Sequence, residues 1–290
     1  MRHIAFLTTD LGAHFVSDDH LAVLPLRERG VETSLIRWRD GADWGAFDLV
    51  VIRSPWDYQR HADDFLDALA RIDRETRLEN ALDIVHWNVR KTYLRDLAEA
   101  GVPIVPTVWN DALVPGGVPA LLEEAGAGEL VVKPVVGASG EDTFRFRAED
   151  AGRVEADLLR VFRDRPLMAQ PFIAAVLDEG ETSVVWIDGQ VSHALRKTPR
   201  PGEFRSQEEY GSRLQRIEPD AELAEAAARV ARVVADRFPD RPLYGRVDFL
   251  PGPDGPAVGE LELIEPSLYL RLDDAAPARF ADAIVSRLDP

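Results

Sequence analysis

The amino-terminal part of this 290-residue chain alternates short apolar runs with amphipathic helical stretches, and that rhythm constrains the fold more than any other feature. Ile4 to Thr8 is an apolar run. Ser17-Asp18-Asp19 then opens a helical pattern that closes at Gly30, with the acidic and glycine punctuation that helix ends favour. Val31 to Ile36 and Asp48 to Ile52 are the next two runs. Strands alternating with helices predict a parallel sheet covered by helices, an α/β architecture. The turn Thr8-Thr9-Asp10-Leu11-Gly12 lacks the G-x-G-x-x-G spacing of dinucleotide sites. No G-x-x-x-x-G-K-[ST] loop and no H-E-x-x-H helix occurs either.

The pattern changes beyond a boundary near Asp83 to His86. Trp87 to Ala100 predicts a helix closed by Gly101, and Val102 to Thr107 a strand entered through Gly-Val-Pro. Leu130 to Pro134 predicts a strand, Gly137-Ala138-Ser139-Gly140 a small-residue loop, and Thr143 to Phe146 a returning strand. Ala148 to Arg163 is an amphipathic helix, and Leu167 to Gln170 a strand running into a proline-marked bend. Gly180 to Ile187 and Val191 to Lys197 flank Asp188-Gly189, a strong hairpin signal. Thr198 to Arg216 is polar and loop-like, Asp220 to Phe238 helical. Tyr244 to Leu250 and Val258 to Ile264 predict a second hairpin.

Composition narrows the function. A net charge of −17 disfavours nucleic acid and anionic membranes as partners. No segment approaches the roughly 20 apolar residues of a membrane span. Met1-Arg2-His3-Ile4 leads into a strand rather than a signal peptide, so a cytoplasmic protein is expected. With no cysteine, disulfides, thiol catalysis and cysteine metal sites are excluded. Three of the 34 bases are lysine, namely Lys91, Lys133 and Lys197, and the rest are arginine. Either those three mark places that want a compact ammonium, or they are chance survivors of a bias toward arginine.

The second hairpin carries the clearest chemistry. In Gly259-Glu260-Leu261-Glu262-Leu263-Ile264 the period of two puts Glu260 and Glu262 on one face, and folding back at Asp254-Gly255 brings Asp248 opposite residues 259–261. Three converging carboxylates repel one another unless a hard cation such as Mg²⁺ joins them; a solvated acidic face is the alternative. Arg246 shares the Asp248 face and either touches an anion there or neutralises the acids. Arg205, in the polar loop, is a candidate anion binder. Arg196 and Lys197 are adjacent in a strand, so only one of them can aim at a shared site. Arg53-Ser54-Pro55-Trp56-Asp57-Tyr58 follows a strand end, where open α/β sheets bind ligands. Arg53, Trp56, Asp57 and Tyr58 could grip an amino-acid-like molecule, or form a turn with an Arg–Asp pair and buried rings. His193, within a strand, reads as structural.

In order, these features resemble the ATP-grasp ligases. The resemblance implies an amino-terminal α/β pre-grasp domain over residues 1–85 and a two-lobed α+β ATP-binding module, with a flap-bearing first lobe over 86–168 and a metal-bearing second lobe over 169–290. It implies that Lys91, Lys133 and the flap residues Gly137, Ser139 and Gly140 meet ATP phosphates. Gln170, Phe172 and Ile173 would border adenine, Glu181 the ribose, and Arg205 in its G-x-F-R context the transferred phosphate. Asp248, Glu260 and Glu262 would hold one or two Mg²⁺ ions, for which Mn²⁺ could substitute. Glu260-Leu261-Glu262 departs from the usual E-x-N strand, which leaves a pair shifted to Glu265 and Ser267 as the alternative, with Glu265 as the alternative ligand. Arg246 and Arg196 would face acyl-phosphate oxygens. The segments around Arg53, Arg196, Arg205 and Glu265 resemble the branch that includes the cyclo-ligase closing O-ureidoserine to cycloserine. The implied activity is ADP-forming carboxylate–amine ligation of a small amino-acid-like substrate through an acyl phosphate, in a chain that could form a homodimer. A dipeptide ligase and a non-catalytic ATP-binding regulator are the rival readings.

Overall fold

The computed structural model describes residues 1–10 and 15–288. The Leu11-Gly12 end of the first turn lies outside the described residues. The amino-terminal unit is built from β1 (Arg2–Thr8), α1 (His20–Glu28), β2 (Val31–Arg37), β3 (Leu49–Ser54), α2 (Ala62–Glu75) and β4 (Leu78–Glu79). Its strands form a parallel sheet in the order β2-β1-β3-β4, as the alternation predicts. β3 reads as a continuous apolar run because it is buried along its whole length. Asp18 and Asp19, expected to cap α1, make no side-chain cap. Both acids are instead spent on ion pairs, Asp19 with Arg53 in a buried pair and Asp18 with the half-buried Arg271.

The helix expected from Trp87 to Ala100 is two short helices, α3 (Leu82–Asn88) and α4 (Tyr93–Glu99). Lys91 sits in the break, where its backbone N–H donates to Val135 O at 2.9 Å. The boundary expected at residue 85 therefore falls inside α3. Val102 to Thr107 forms no ladder strand; it bridges at Ile104 to Val258, and the strand follows as β5 (Val108–Asn110). With α5 (Val118–Ala125), β6 (Glu129–Pro134), β7 (Phe144–Arg147), α6 (Ala151–Phe162) and β8 (Leu167–Pro171) it makes an antiparallel sheet, β5-β8-β6-β7, backed by α5 and α6. The second boundary, expected after residue 168, divides β8.

The remaining elements are α7 (Val176–Glu179), β9 (Glu181–Ile187), β10 (Gln190–Thr198), β11 (Arg213–Ile217), α8 (Ala221–Arg237), β12 (Tyr244–Gly252), β13 (Gly255–Glu262) and α9 (Ala276–Leu288). The strands form an antiparallel sheet in the order β11-β10-β9-β12-β13. Asp188 and Gly189 turn the β9–β10 hairpin with φ of 50° and 73°, the backbone that an Asp-Gly pair accepts. The polar segment expected to be loop throughout ends as β11, paired with β10. Asp220 caps α8 by accepting the Leu223 N–H at 2.9 Å. One face of this central sheet packs on α3, α4 and α8. The other shares a core with β1, β3, α1 and α9, so the carboxy-terminal helix cements the first unit to the central sheet.

The outer edge of β13 is closed by backbone bonds of Val258 to Pro103 and Val105 and, further along, by side chains. The Asn88 carboxamide donates to Leu261 O at 2.9 Å and accepts from Leu263 N at 2.7 Å, as a neighbouring peptide would. Among the described residues no helix is long and apolar enough to cross a membrane.

Candidate active site

A cleft of about 1520 Å³, its open mouth included, lies between the two antiparallel sheets and the tip of the amino-terminal unit. The break between α3 and α4 presents Lys91, whose ammonium donates to Gly137 O at 2.6 Å and pairs with Glu260 Oε1 at 2.7 Å. Burial opposes its charge, but the Glu260, Glu262 and Glu265 carboxylates together outweigh burial and hold its pKa above the ordinary value. Lys133, on β6, lines the same cleft, and among the described residues no carboxylate lies within ion-pair distance of it. Burial, reinforced by Lys91, lowers its pKa. A half-buried ammonium without an anion is stabilised by whatever anion enters.

Gly137 to Gly140 forms the flap over this pair of lysines. Ser139 and Gly140 both have positive φ, 53° and 64°, which turns the loop inward. The Tyr210 hydroxyl donates to Ser139 O at 3.1 Å and so joins the flap to the loop that carries Arg205. The Arg205 guanidinium lies 3.5 Å from the Tyr210 ring centroid and makes a two-point pair with Glu203, at 3.0 and 2.7 Å. Those hydrogen bonds hold the Glu203 carboxyl down to about 2. The pair leaves N–H groups of Arg205 for a further anion, because a guanidinium has five.

Gln170, Phe172 and Ile173 line the opposite end of the cleft. The Arg145 guanidinium covers the Phe172 ring at 3.6 Å, a contact with no sequence signal. Glu181, at the start of β9, lines the cleft and is paired with Lys197, which is also 3.2 Å from Asp248. Burial raises the Glu181 pKa. For Lys197 burial acts in the opposite sense, but Asp248 and Glu181 outweigh it and raise its pKa.

The hairpin register places Asp248 directly opposite Glu260 and Arg246 opposite Glu262. Glu260, Glu262 and Glu265 line the cleft, whereas Asp248 lies behind it. Asp248 accepts from Ser183 Oγ at 2.5 Å and from Arg246 at 3.0 Å; with Lys197 these outweigh burial and hold its carboxyl well below the usual range. Glu262 also pairs with Arg246. Burial, with repulsion from Glu260, Asp248 and Glu265, still pushes its carboxyl up to about 8. Burial likewise pushes Glu265 up to about 7, although the Tyr58 hydroxyl and Lys91 oppose the shift.

Among the described residues no cluster of three acids is closed as a ready metal cage. The donor set is nonetheless all carboxylate oxygen, the chemistry of Mg²⁺ sites. Burial first, and then repulsion from the neighbouring carboxylates, raises the Glu262 carboxyl, and a bound dication would oppose both. The residues therefore fit the ion, with the acids now held by lysine and arginine.

Two sets of expectations need correcting. Arg196 is exposed and lines no part of the cleft; the alternation of β10 gives the inward face to Lys197. Arg53 is 2% exposed and locked to Asp19 at 3.0 Å and to Pro266 O at 3.1 Å. Asp57 accepts from the Trp38 indole at 2.6 Å and from Arg39 at 3.2 Å, away from the cleft. Of that segment Trp56 and Tyr58 face the cleft, while Arg53 and Asp57 pair not with each other but with Asp19 and Arg39, so neither reading describes the whole segment. Sequence reasoning missed Asn88, Tyr93 and Tyr269 as lining residues.

Known proteins share this fold. Residues 4–80 match the family model of the amino-terminal domain of D-cycloserine synthetase DcsG. Residues 117–244 match that of the prokaryotic glutathione synthetase ATP-grasp domain. The chain is 37% identical over 276 residues to the cycloserine biosynthesis protein DcsG of Streptomyces lavendulae, covering 91% of each chain. It is similar to the crystal structure of D-cycloserine synthetase DcsG, with a TM-score of 0.85, 33% identity and 99% and 100% of the two chains covered. The ATP-grasp ligase PsnB, solved with a minimal precursor, Mg and ADP, shares the fold at a TM-score of 0.63 and 20% identity over 99% and 98% of the chains.

Proposed function

Because the chain belongs to the ATP-grasp ligases, in the branch of the D-cycloserine synthetase DcsG, we propose that it activates the carboxylate of a small amino-acid-like substrate and closes it intramolecularly on a nitrogen, in the manner of O-ureidoserine to cycloserine. As a member of that family it is an ADP-forming carbon–nitrogen ligase that uses ATP with Mg²⁺. One observation carries the finer reading: Lys91, Lys133, Glu260, Glu262 and the flap line the same cleft as Trp56 and Tyr58 from the amino-terminal unit. Phosphate-binding chemistry and a small pocket for a second molecule thus share one cavity.

The substrate carboxylate attacks the γ-phosphorus of ATP, the bond to ADP breaks, and an acyl phosphate forms. The nitrogen then attacks the acyl carbon, gives up a proton and expels phosphate. Phosphoryl transfer asks the protein mainly for positioning and charge stabilisation. Lys91 and Lys133 bind phosphate oxygens, and moving Lys91 toward phosphate frees Glu260 from its ion pair. Glu260 and Glu262, backed by Asp248, would hold Mg²⁺, which supplies charge neutralisation for the phosphates. The free N–H groups of Arg205 meet the transferred group, and the buried Arg246 the acyl-phosphate side of the cleft. Gln170, Phe172 and Ile173 border the base, and Glu181 the ribose. The flap and the Tyr210–Ser139 contact close the cleft against water, which otherwise hydrolyses an acyl phosphate.

The test is product analysis with MgATP and a panel of small amino acids that includes O-ureidoserine. ADP and phosphate released with one of them, together with a ring product, support the reading; AMP and pyrophosphate overturn it. The glutathione synthetase match favours a second reading, the joining of two molecules, and a product retaining both would decide for it.

A further inference from the structure

The segment that follows β13 is held in an unusual way. Six consecutive carbonyls each meet a side-chain donor drawn from elsewhere in the chain. Leu263 O accepts from Asn80 at 2.6 Å, Ile264 O from the Tyr244 hydroxyl at 2.8 Å, and Glu265 O from the Trp56 indole at 2.8 Å. Pro266 O accepts from Arg53 at 3.1 Å, Ser267 O from Arg246 at 3.1 Å, and Leu268 O from His193 Nε2 at 2.9 Å. Irregular buried backbone needs partners for its carbonyls, and here each partner is a large buried side chain. Such a frame fixes whatever side chain the segment carries far more tightly than a loop would.

The side chain it carries into the cleft is Glu265, 8% exposed. The other acids beside it all have cationic partners: Glu260 has Lys91, Glu262 has Arg246, and Asp248 has Arg246 and Lys197. Among the described residues no lysine, arginine or histidine lies within ion-pair distance of Glu265. The Tyr58 hydroxyl hydrogen-bonds to its carboxyl, and Trp56, whose indole holds the Glu265 backbone carbonyl, lines the same cleft. It also lies past the end of β13, outside the alternation that aligns Glu260 with Glu262. A buried carboxylate that lacks a cation, in a cleft lined beside it by aromatic residues, is suited to a ligand that brings one.

We propose that Glu265 is the acceptor for the substrate's non-reacting ammonium, with Trp56 and Tyr58 as the walls of that subsite. The assignment rests on the ligase reading above. The ammonium beside an activated carboxylate stays protonated through both steps, so a fixed anion serves it throughout. Arg53, Trp56 and His193 are then positioning residues that hold the frame, and Glu265 sets specificity rather than binding metal.

The test compares wild type, Glu265→Gln and Glu265→Asp in ADP release. The substrates are the best amino acid of the panel and its analogue lacking the α-amine, over ranges of MgATP and free Mg²⁺. Glu265→Gln is expected to raise KM for the amino substrate by about 10- to 100-fold, the worth of one charge-assisted hydrogen bond. KM for MgATP and the Mg²⁺ requirement should stay within about twofold. The preference for the amine-bearing substrate should collapse in Glu265→Gln and persist in Glu265→Asp. A raised Mg²⁺ requirement with the preference intact makes Glu265 a metal ligand and overturns the proposal. Equal loss in both variants means that shape, not charge, matters and overturns it too. Wild type inactive on the whole panel sinks the ligase reading and this subsite with it, whereas an active wild type with an unchanged Gln variant sinks the subsite alone.

Discussion

Lys197 Nζ lies 3.2 Å from Asp248 Oδ2 while also pairing with Glu181, so one buried ammonium serves both an acid that lines the cleft and an acid behind it. The lysine is 2% exposed. Removing one partner of a buried charge network strands the others. Lys197→Met should therefore destabilise the protein by about 3–5 kcal/mol. Arg196→Ala, on the exposed face of the same strand, should change stability by no more than about 0.5 kcal/mol. Urea unfolding of the two variants measures the contrast, and equal effects would mean the two faces of β10 are misassigned.

Asp248→Asn preserves shape and the Ser183 hydrogen bond but removes the charge that balances Arg246 and Lys197. Magnesium-dependent ADP release should be abolished while far-ultraviolet circular dichroism stays native. Near-normal turnover would remove Asp248 from the metal-holding set.

Arg53 and Asp57, neighbours in one turn, should behave differently. Arg53→Met leaves Asp19 buried without its partner and frees Pro266 O, so a loss of about 3–5 kcal/mol is expected. Asp57→Asn keeps an acceptor for the Trp38 indole outside the cleft, and kcat/KM should stay within about twofold of wild type. A large activity loss in Asp57→Asn, with normal stability, would return it to the substrate pocket.

His193 offers a test in pH. Burial lowers its pKa below the ordinary 6.5, and because a carbonyl only accepts, Nε2 carries the proton toward Leu268 O. The folded state thus binds fewer protons than the unfolded state as pH falls below 6.5. Stability is full above that value and declines as pH falls toward the depressed folded pKa, with a slope of up to about 1.4 kcal/mol per pH unit. His193→Gln should flatten that part of the curve measured by chemical denaturation; an unchanged slope would locate the titration elsewhere.

Much of the fold was legible because its signals are local. The alternation that predicts β1, β2 and β3 follows from burial of a parallel sheet, and the Asp188-Gly189 and Asp254-Gly255 turns dictate both hairpins. Once those turns are known, the pairing of Asp248 with Glu260 is a matter of register. The choice of lysine over arginine also carried meaning, since Lys91 and Lys133 line the cleft and Lys197 anchors its floor. The break that exposes Lys91 was not legible, because Trp87 to Ala100 has unbroken helical character and only the contact with Val135 O interrupts it.

The sequence alone therefore determined the order of strands and helices, the two acidic strand faces and the residue types of the site, all consequences of spacing along one chain. Which of two adjacent residues turns inward needed the third dimension. So did the roles of Arg53, which clamps a distant carbonyl, and of Glu265, whose want of a cation is visible only once its neighbours have found theirs. Partner choice among polar groups depends on distances between segments 200 residues apart, such as the Trp56 indole and the Glu265 backbone carbonyl, and only folding sets those distances.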